Sequence, residues 1–422
     1  MSTVRLSTKS TQIPTFLDGE SVSSHRWRDQ PPMEFISQMR SQFPTEREYD
    51  HMLTRKLERR RSGVRHEPVT LKQMRTHLER FLAAHIEGEF SVHDDRWLLG
   101  GASKLQFGFT LRQGHAPGAT AETKLVIRME PTESLNATSR VREFQLLKAM
   151  AGAVPVPATY WVDADGTWFP EPVLIYAFAS GTTKPKLAKH RVSGTGLNFG
   201  PELRPVLAQQ FVDHLAAIHV FDWSKSGLEA FDVPSPGTNE SALWQLNRAR
   251  RVWEEDRGED LPFMEITANW LEDNLPRLDR PSVVHGDFRA GNFLFDEKSE
   301  KITAWLDWER GYIGDRHRDL AWTTTRSFGH LAEDGKTFLV SGLVPVEEFY
   351  ERYEQASGLT VDPQALQYYR IFNAYQLVVS NLASTYRVSK NARSHQDVLL
   401  AWSHGVSYPL AHELLTALKG AF

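Results

Sequence analysis

The sequence predicts an α+β protein in which a small strand-rich lobe precedes a larger, mainly helical lobe. Residues 90–180 contain short apolar runs separated by Gly- and Pro-rich turns, with one helical pattern in the middle. From residue 201 onwards, apolar residues recur mostly at helical spacing. We therefore expect a polar N-terminal extension over 1–68, a smaller lobe over 69–180 and a larger lobe over 181–422.

The bulk composition is that of a soluble globular protein of two to three domains or lobes. The chain has 422 residues, of which 41% are hydrophobic and 24% charged, and its net charge is −4. This charge gives no reason to expect a nucleic-acid or membrane partner. The chain has no cysteine, which excludes disulfides, thiolate nucleophiles and Cys-ligated zinc. Because it lacks a signal-peptide core and an apolar run of about 20 residues, we expect a cytoplasmic protein; its oligomeric state is not readable.

Two segments are open to more than one interpretation. The extension carries the basic stretch "RKLERRRSG" at 55–63, which suits either an anionic partner or, as we expect, a solvated segment or a helix lying on the body. Residues 181–200, "GTTKPKLAKHRVSGTGLNFG", are rich in Gly and Lys. They form either a lid over a substrate or a long surface loop.

The smaller lobe is expected to begin with a helix in "TLKQMRTHLERFLAAHI", where apolar residues fall on one face and Thr70 precedes them as an N-cap. A second helix is expected over Ser139–Met150. Strands are expected in "DRWLLGGASKLQFGFTL", "TKLVIRMEP", "PVPATYWVD" and "FPEPVLIYAFASG".

The larger lobe is expected to be helical apart from two strand-like stretches, "VVHGDFRAGNFLFD" at 283–296 and "KITAWLDWERG" at 301–311. The expected helices cover 201–221, 241–257, 263–275, 346–357, 364–387 and 395–418.

The two strand-like stretches carry the chemistry. Asp287 follows an apolar run, Asn292 lies five residues later, and Asp307 ends the run "ITAWL". One carboxylate at a strand end is often a turn residue, but three oxygen-bearing residues that converge need a compensating cation. Hard oxygen ligands suit Mg²⁺, with Asn292 and Asp307 as ligands and Asp287 free to accept a proton from a hydroxyl.

Phosphoryl transfer also needs groups that hold the nucleotide phosphates. Gly100, Gly101 and Ser103 form a turn whose backbone N–H groups could approach phosphate, although such turns also simply join strands. Arg128 in "LVIRME" needs a partner, and Glu143 in the following helix is suitable. Taken alone, this pair would be a structural ion pair.

These motifs resemble the aminoglycoside phosphotransferase/choline kinase family. "HGDFRAGN" matches the pattern H-x-D-x-x-x-x-N of a kinase catalytic loop, and "LDWERGYIGDRHRDLAW" matches the metal-binding aspartate followed by G-D-x-x-x-D-L-A. The resemblance covers roughly residues 70–415. Within the family, the chain looks similar to the kinase-like domains fused to some acyl-CoA dehydrogenases. The absence of an A-P-E segment argues against a protein kinase.

The resemblance implies a bilobal protein-kinase-like fold and a phosphotransferase that uses ATP and Mg²⁺. Arg128 stands where the family has a phosphate-binding Lys or Arg. By resemblance, His285, Asp315 and Asp319 steady the site, and Arg289 either braces the loop or touches phosphate. The positions that would contact nucleotide or metal are Gly100, Gly101, Ser103, Arg128, Glu143, Ile175, Tyr176, Phe178, Asn292 and Asp307, with Asp287 as the base.

The acceptor is expected to be a small hydroxylated molecule that is neutral, apolar or weakly anionic. Residues 365–408 carry four cations against the single acid Asp397, whereas a polycationic aminoglycoside would need carboxylates. The acid-rich helix 346–355 would contradict this if it lined the pocket. An antibiotic phosphotransferase and a catalytically silent nucleotide-binding protein remain alternatives. The residues expected to contact the acceptor are Arg289, Trp322, Tyr369, Arg387 and Trp402.

Overall fold

The structure is a computed structural model. It describes residues 25–63, 68–98, 103–116, 119–131, 134–186, 196–391 and 404–421.

The smaller lobe is built on an antiparallel sheet with helices beside it. Its elements are α3 (Leu71–His85), β1 (Phe90–Trp97), β2 (Leu105–Ala116), β3 (Ala119–Met129), α4 (Arg140–Met150), β4 (Thr159–Asp163) and β5 (Val173–Ala177). Within the described residues, the five strands pair in the order β1-β2-β3-β5-β4. One face of the sheet buries an apolar core with helix α3, whose N-cap Thr70 forms a capping box with Gln73. Helix α4 begins after the N-cap Ser139.

The larger lobe is mainly helical, and its core is continuous with the residues that α4 buries. Its helices are α5 (Gly200–Val220), α6 (Glu240–Asp256), α7 (Pro262–Asp273), α8 (His317–Thr323), α9 (Val346–Ser357), α10 (Pro363–Val378), α11 (Thr385–Asn391) and α12 (Ser407–Lys419). The arrangement of a small antiparallel sheet and a helical lobe confirms the predicted α+β fold class.

The two segments that contain the predicted site residues, 283–296 and 301–311, form short pairs of strands. Strand β6 (Ser282–Val284) pairs with β9 (Tyr312–Gly314), and β7 (Phe293–Asp296) pairs with β8 (Lys301–Trp305). Both pairings are antiparallel, so the end of β6 lies beside the start of β9 and the start of β7 lies beside the end of β8. The loop after β6 and the segment after β8 are therefore neighbours. This local pairing brings the catalytic-loop motif beside the Asp307 motif.

Two details differ from the sequence prediction, and one predicted segment is not described. The predicted helix over 364–387 is interrupted by a π-helical segment, Val379–Ser384, between α10 and α11. Residues 395–403 of the predicted last helix lie outside the described residues. A small sheet of β10 (His330–Leu331), β11 (Phe338–Val340) and β12 (Val344–Pro345) was not predicted, because strands of two or three residues show no periodicity.

In its described part, residues 25–63, the N-terminal segment forms the helices α1 (Met33–Gln42) and α2 (Arg47–Ser62), which pack on the body of the protein. Lys56 and Arg60 of the basic stretch are buried, and their nitrogens lie 2.9 and 2.7 Å from the Asp256 carboxylate of α6. Glu46 pairs with Arg142 of α4 at 3.0 Å. The segment therefore contacts both lobes.

None of the helices in the described part of the chain combines the length and apolarity that a bilayer crossing requires.

Candidate active site

The catalytic-loop motif occupies the turn between β6 and β7. Gly286 has a φ of +80°, and a Cβ there would lie 2.6 Å from the carbonyl oxygen of Arg310. Only glycine fits both the left-handed backbone and this close approach without strain. The chain can therefore turn sharply just before Asp287.

Asp287 is held through one of its two carboxylate oxygens. Oδ1 accepts a hydrogen bond from Trp322 Nε1 at 2.6 Å and another from Arg289 Nε at 3.1 Å. Oδ2 accepts none from the described residues. A carboxylate fixed at one oxygen and unbonded at the other suits the acceptance of a proton in a defined direction.

His285 and Asp319 brace the loop. His285 is fully buried; Nε2 lies 3.0 Å from the Leu306 carbonyl oxygen, and Nδ1 accepts the Asp287 N–H at 3.2 Å. Burial lowers its pKa, which favours the neutral ring that this pairing requires. Asp319 accepts the backbone N–H groups of His285 at 2.7 Å and Gly286 at 2.8 Å. Burial raises the pKa of Asp319, but the hydrogen bond from His219 and nearby charges outweigh it and lower the pKa.

Asp315 lies before α8, where its carboxylate caps the backbone N–H of His317 at 2.9 Å and contacts the His317 ring at 2.7 Å. It steadies the segment between β9 and α8.

Asn292 and Asp307 stand at the ends of β7 and β8. The Leu306 N–H donates to the Asn292 carbonyl oxygen at 2.8 Å, so Asn292 and Asp307 lie near each other at the open end of the β7–β8 hairpin. Asn292 is buried and donates to the Asp287 carbonyl oxygen at 2.8 Å, whereas the Asp307 side chain is 40% exposed. Asp307 has a left-handed backbone with φ 60°, an uncommon state that often accompanies function.

This donor set fits a magnesium ion that takes its remaining ligands from phosphate and water. It offers one carboxylate and one amide, and no group of three or more His, Asp or Glu residues in the described part of the chain is arranged to hold a metal.

Arg128 of β3 is surrounded by acids. Its guanidinium lies 2.6 Å from Asp307 Oδ1, 2.8 Å from Glu309 Oε2 and 3.4 Å from Glu143 Oε1. Burial alone would lower the pKa of Arg128, but these carboxylates raise it well above its ordinary value. The pair Arg128–Glu143 expected from the sequence is present, and it is joined to the Asp307 segment.

The sequence interpretation missed Lys104 and the ion pairs that Glu309 forms with Lys104 and Arg128. Lys104 Nζ is buried 3.1 Å from Glu130 Oε1, 3.4 Å from Glu309 Oε2 and 3.0 Å from the Ser134 hydroxyl. Burial raises the pKa of Glu309, but Lys104 and the neighbouring arginines hold it well below its ordinary value. One signal was available: a lysine directly after the Gly–Ser turn, at the start of an apolar strand.

The remaining nucleotide-side predictions fall on β5 and on the turn before β2. Ile175 and Tyr176 are buried in β5, and burial raises the pKa of Tyr176 to about 12. Phe178, just after the strand, is 45% exposed. Ser103 is half-buried and lies two residues before β2. Gly100 and Gly101 lie outside the described residues.

Among the residues expected to contact the acceptor, Arg289 and Trp322 both touch Asp287, as described above. Tyr369 is fully buried against Tyr368, and Arg387 is fully buried and paired with Asp29. Neither contacts Asp287. Trp402 lies outside the described residues.

A cavity of about 830 Å³ opens beside α8, whose Trp322 reaches Asp287. Three of its lining residues are cationic, Arg326, Lys336 and Arg370, and one is acidic, Glu413. Burial raises the pKa of Glu413, which favours its neutral form. In the acid-rich helix α9, only the apolar Val346 lines this cavity.

The sequence model of the phosphotransferase enzyme family matches residues 103–369. Acyl-CoA dehydrogenase family member 10 of Mus musculus is 29% identical over 206 residues, which are 48% of this chain and 18% of that protein. Acyl-CoA dehydrogenase family member 11 of Homo sapiens is 27% identical over 318 residues, which are 70% of this chain and 37% of that protein. The matched part of the chain thus corresponds to about a fifth to about two fifths of the length of these relatives.

Among solved structures, a presumed aminoglycoside phosphotransferase from Ralstonia eutropha superposes with a TM-score of 0.59 at 22% identity. The match covers 82% of this chain and 98% of that one. At this identity the similarity bears on the fold alone, and it agrees with the predicted bilobal kinase-like architecture.

Proposed function

Because the chain belongs to the phosphotransferase enzyme family and is by class a small-molecule kinase, we propose that it transfers the γ-phosphoryl group of ATP to an alcohol with the help of Mg²⁺. The observation that carries this proposal is Asp287, whose Oδ1 is held by two donors while Oδ2 accepts no hydrogen bond from the described residues. The acceptor is a small neutral, apolar or weakly anionic hydroxyl compound.

In the proposed reaction the acceptor hydroxyl lies at Oδ2 of Asp287. Its oxygen forms a bond to the γ-phosphorus as the bond from that phosphorus to the ADP oxygen breaks, and its proton passes to Asp287. Trp322 and Arg289 keep the carboxylate oriented during this transfer. The neutral His285 keeps the loop in place from behind.

Asn292 and Asp307 would hold the metal ion, which neutralises phosphate charge when bound. Arg128 is already fixed by three carboxylates, so its guanidinium needs little further ordering to meet a phosphate oxygen. Ser103, with Gly100 and Gly101, is proposed to cover the phosphates. The backbone near Ile175 to Phe178 is proposed to meet adenine.

We infer the acceptor class from the cavity beside α8. Its lining carries three cations against one carboxyl group, so the cavity repels a polycation and tolerates an anionic or neutral group. Ala374, Leu377 and Phe338 supply apolar surface. Arg387 and Lys390 do not line this cavity, and both pair instead with Asp29.

The test is a screen of hydroxylated metabolites and antibiotics with MgATP, in which mass spectrometry detects phosphorylated products. Asp287→Asn should lower turnover by about 100-fold or more, whereas the exposed Asp273→Asn should leave it unchanged. Turnover of a polycationic aminoglycoside alone would refute the acceptor class. MgATP binding without any product would indicate the silent alternative, and failure to bind MgATP would refute the proposal.

A further inference from the structure

Four buried arginines lie close together at the junction of α2, α4, α6 and α8, outside the groups used for phosphoryl transfer. This arginine cluster consists of Arg142, Arg248, Arg310 and Arg318, each no more than 8% exposed. The guanidinium carbons of Arg142 and Arg248 lie 4.3 and 3.5 Å from the centre of the Tyr49 ring. Burial lowers the pKa of Arg310 to about 10, and repulsion from Arg318 and Arg248 adds to the effect.

The cluster has a marked deficit of negative charge. Glu46 pairs with Arg142 at 3.0 Å, but no other member forms an ion pair with a carboxylate in the described part of the chain. Arg318 donates instead to the neutral amides of Gln245 at 3.1 Å and Gln376 at 2.6 Å. Arg310 and Arg318 also lie over aromatic rings, 4.8 Å from the centre of the Trp322 ring and 5.3 Å from that of Tyr312. Rings attract a cation but carry no net negative charge, so the positive charge of the cluster still exceeds its carboxylate partners.

The hydrogen-bonding capacity of the cluster is also unfilled. The buried nitrogen atoms that find no partner are Arg142 Nε and Nη1, Arg248 Nη1, Arg310 Nε and Nη2, and Arg318 Nε. Guanidinium N–H groups are donors only, so the missing partner must be an acceptor. A water molecule would accept hydrogen bonds from these donors but would not compensate the positive charge. An oxyanion would do both.

A small cavity of about 20 Å³ adjoins the cluster at Arg248. Its polar lining includes Lys56, Ser380, Ser384 and Gln376, which accepts a hydrogen bond from Arg318, and the other half of the lining is apolar. The cluster thus borders a void with room for about one water molecule, and a larger oxyanion must be held by the arginine side chains themselves.

We propose that the arginine cluster binds a small oxyanion, with the chemistry of phosphate, sulfate or a carboxylate, at a site separate from the nucleotide phosphates. Three members adjoin active-site residues: Arg142 precedes Glu143, Arg310 follows Asp307 by three positions, and Arg318 precedes Asp319. The bound anion therefore connects α4, the Asp307 segment and α8. Its presence stabilises the arrangement of the active site as well as the fold.

The first test compares thermal melting of the full chain in about 20 mM phosphate, sulfate or acetate with melting in chloride at equal ionic strength. We expect an oxyanion to raise the Tm by about 2 °C or more. Arg248→Gln and Arg318→Gln should each abolish this increment, and the exposed Arg280→Gln should retain it. An increment that is absent in the wild type, or equal in all variants, would overturn the proposal.

The second test needs no variant of the cluster. Crystals grown with selenate should show an anomalous selenium peak in contact with Arg248 and Arg318. Water alone at that place, or selenate found only beside Arg128, would contradict the site. The thermal melting of Arg128→Gln distinguishes the two sites. This variant should keep the rise in Tm caused by phosphate, because Arg128 belongs to the proposed nucleotide site and not to the arginine cluster. The result does not depend on whether the proposed nucleotide chemistry is correct.

Discussion

Replacing Trp322 by phenylalanine tests whether this residue orients the base or contacts the acceptor. The change removes the indole N–H that donates to Asp287 Oδ1 at 2.6 Å and retains an aromatic ring beside Phe328, whose ring centre lies 5.0 Å from that of Trp322. Arg289 still holds the same oxygen from 3.1 Å, so the carboxylate loses one of two donors.

The expected magnitude follows from the kind of bond that is lost. A hydrogen bond to a charged group contributes about 1.5–3 kcal/mol. If this energy is used to orient the carboxylate in the transition state, kcat should fall by about 10- to 150-fold. The KM for the acceptor should change little, because Trp322 does not line the cavity beside α8 and the substitution keeps an aromatic ring.

Steady-state kinetics with an acceptor found in the screen would measure both constants. Trp223→Phe is the matched control, since it removes an indole N–H that donates to the Pro281 carbonyl oxygen at 3.2 Å, outside the catalytic loop. An unchanged kcat would refute the orienting role. A raised KM with an unchanged kcat would instead restore the interpretation of Trp322 as an acceptor contact.

Three further changes test other parts of the site and fold. Asp307→Asn should abolish the Mg²⁺-dependent rise in Tm with ADP, because it removes the proposed carboxylate ligand; an equal rise in the variant would exclude that role. Glu309→Gln should lower the free energy of unfolding by about 3 kcal/mol in denaturant titrations, since it leaves Arg128 and Lys104 short of a buried partner. Because the folded pKa of Glu309 is depressed, its stabilisation is present above about pH 4.5 and lost as pH falls, so the variant should show a shallower acid transition. Asp256→Asn should destabilise the chain by about 3–5 kcal/mol, because Lys56 and Arg60 stay buried; a change under about 1 kcal/mol would show that water reaches them.

The centre of the site could be predicted because its contacts are local in the chain. Asp287 and Asn292 share one loop, and Asp307 ends the strand that pairs with β7. Residue type and spacing therefore carried most of the geometry. The same holds for the capping box at Thr70, which needs only four successive residues.

The surroundings of the site could not be predicted because they depend on distant pairings. Whether Arg310 is solvated or buried depends on α6 and α8, and its own neighbours in the sequence do not decide this. Arg387 looked like a free cation of the acceptor pocket, but Asp29, 358 positions earlier, neutralises it. Charged residues have the same appearance in a sequence whether they pair across the fold or face water.

The contacts of the N-terminal helices have a consequence for the order of events during synthesis. Lys56 bonds to Asp256, which is 200 residues further along the chain. At about 5–20 residues per second, ribosomes need about 10–40 s to add that length. During this interval Phe35 and Ile36 of α1 can already pack against Leu57 of α2, and the five-stranded sheet can form, but the surface that α1 and α2 share with α6 stays uncovered. Nascent chains are thus most open to chaperones and to self-association before α6 emerges, and slower translation across residues 63–256 would prolong that exposure.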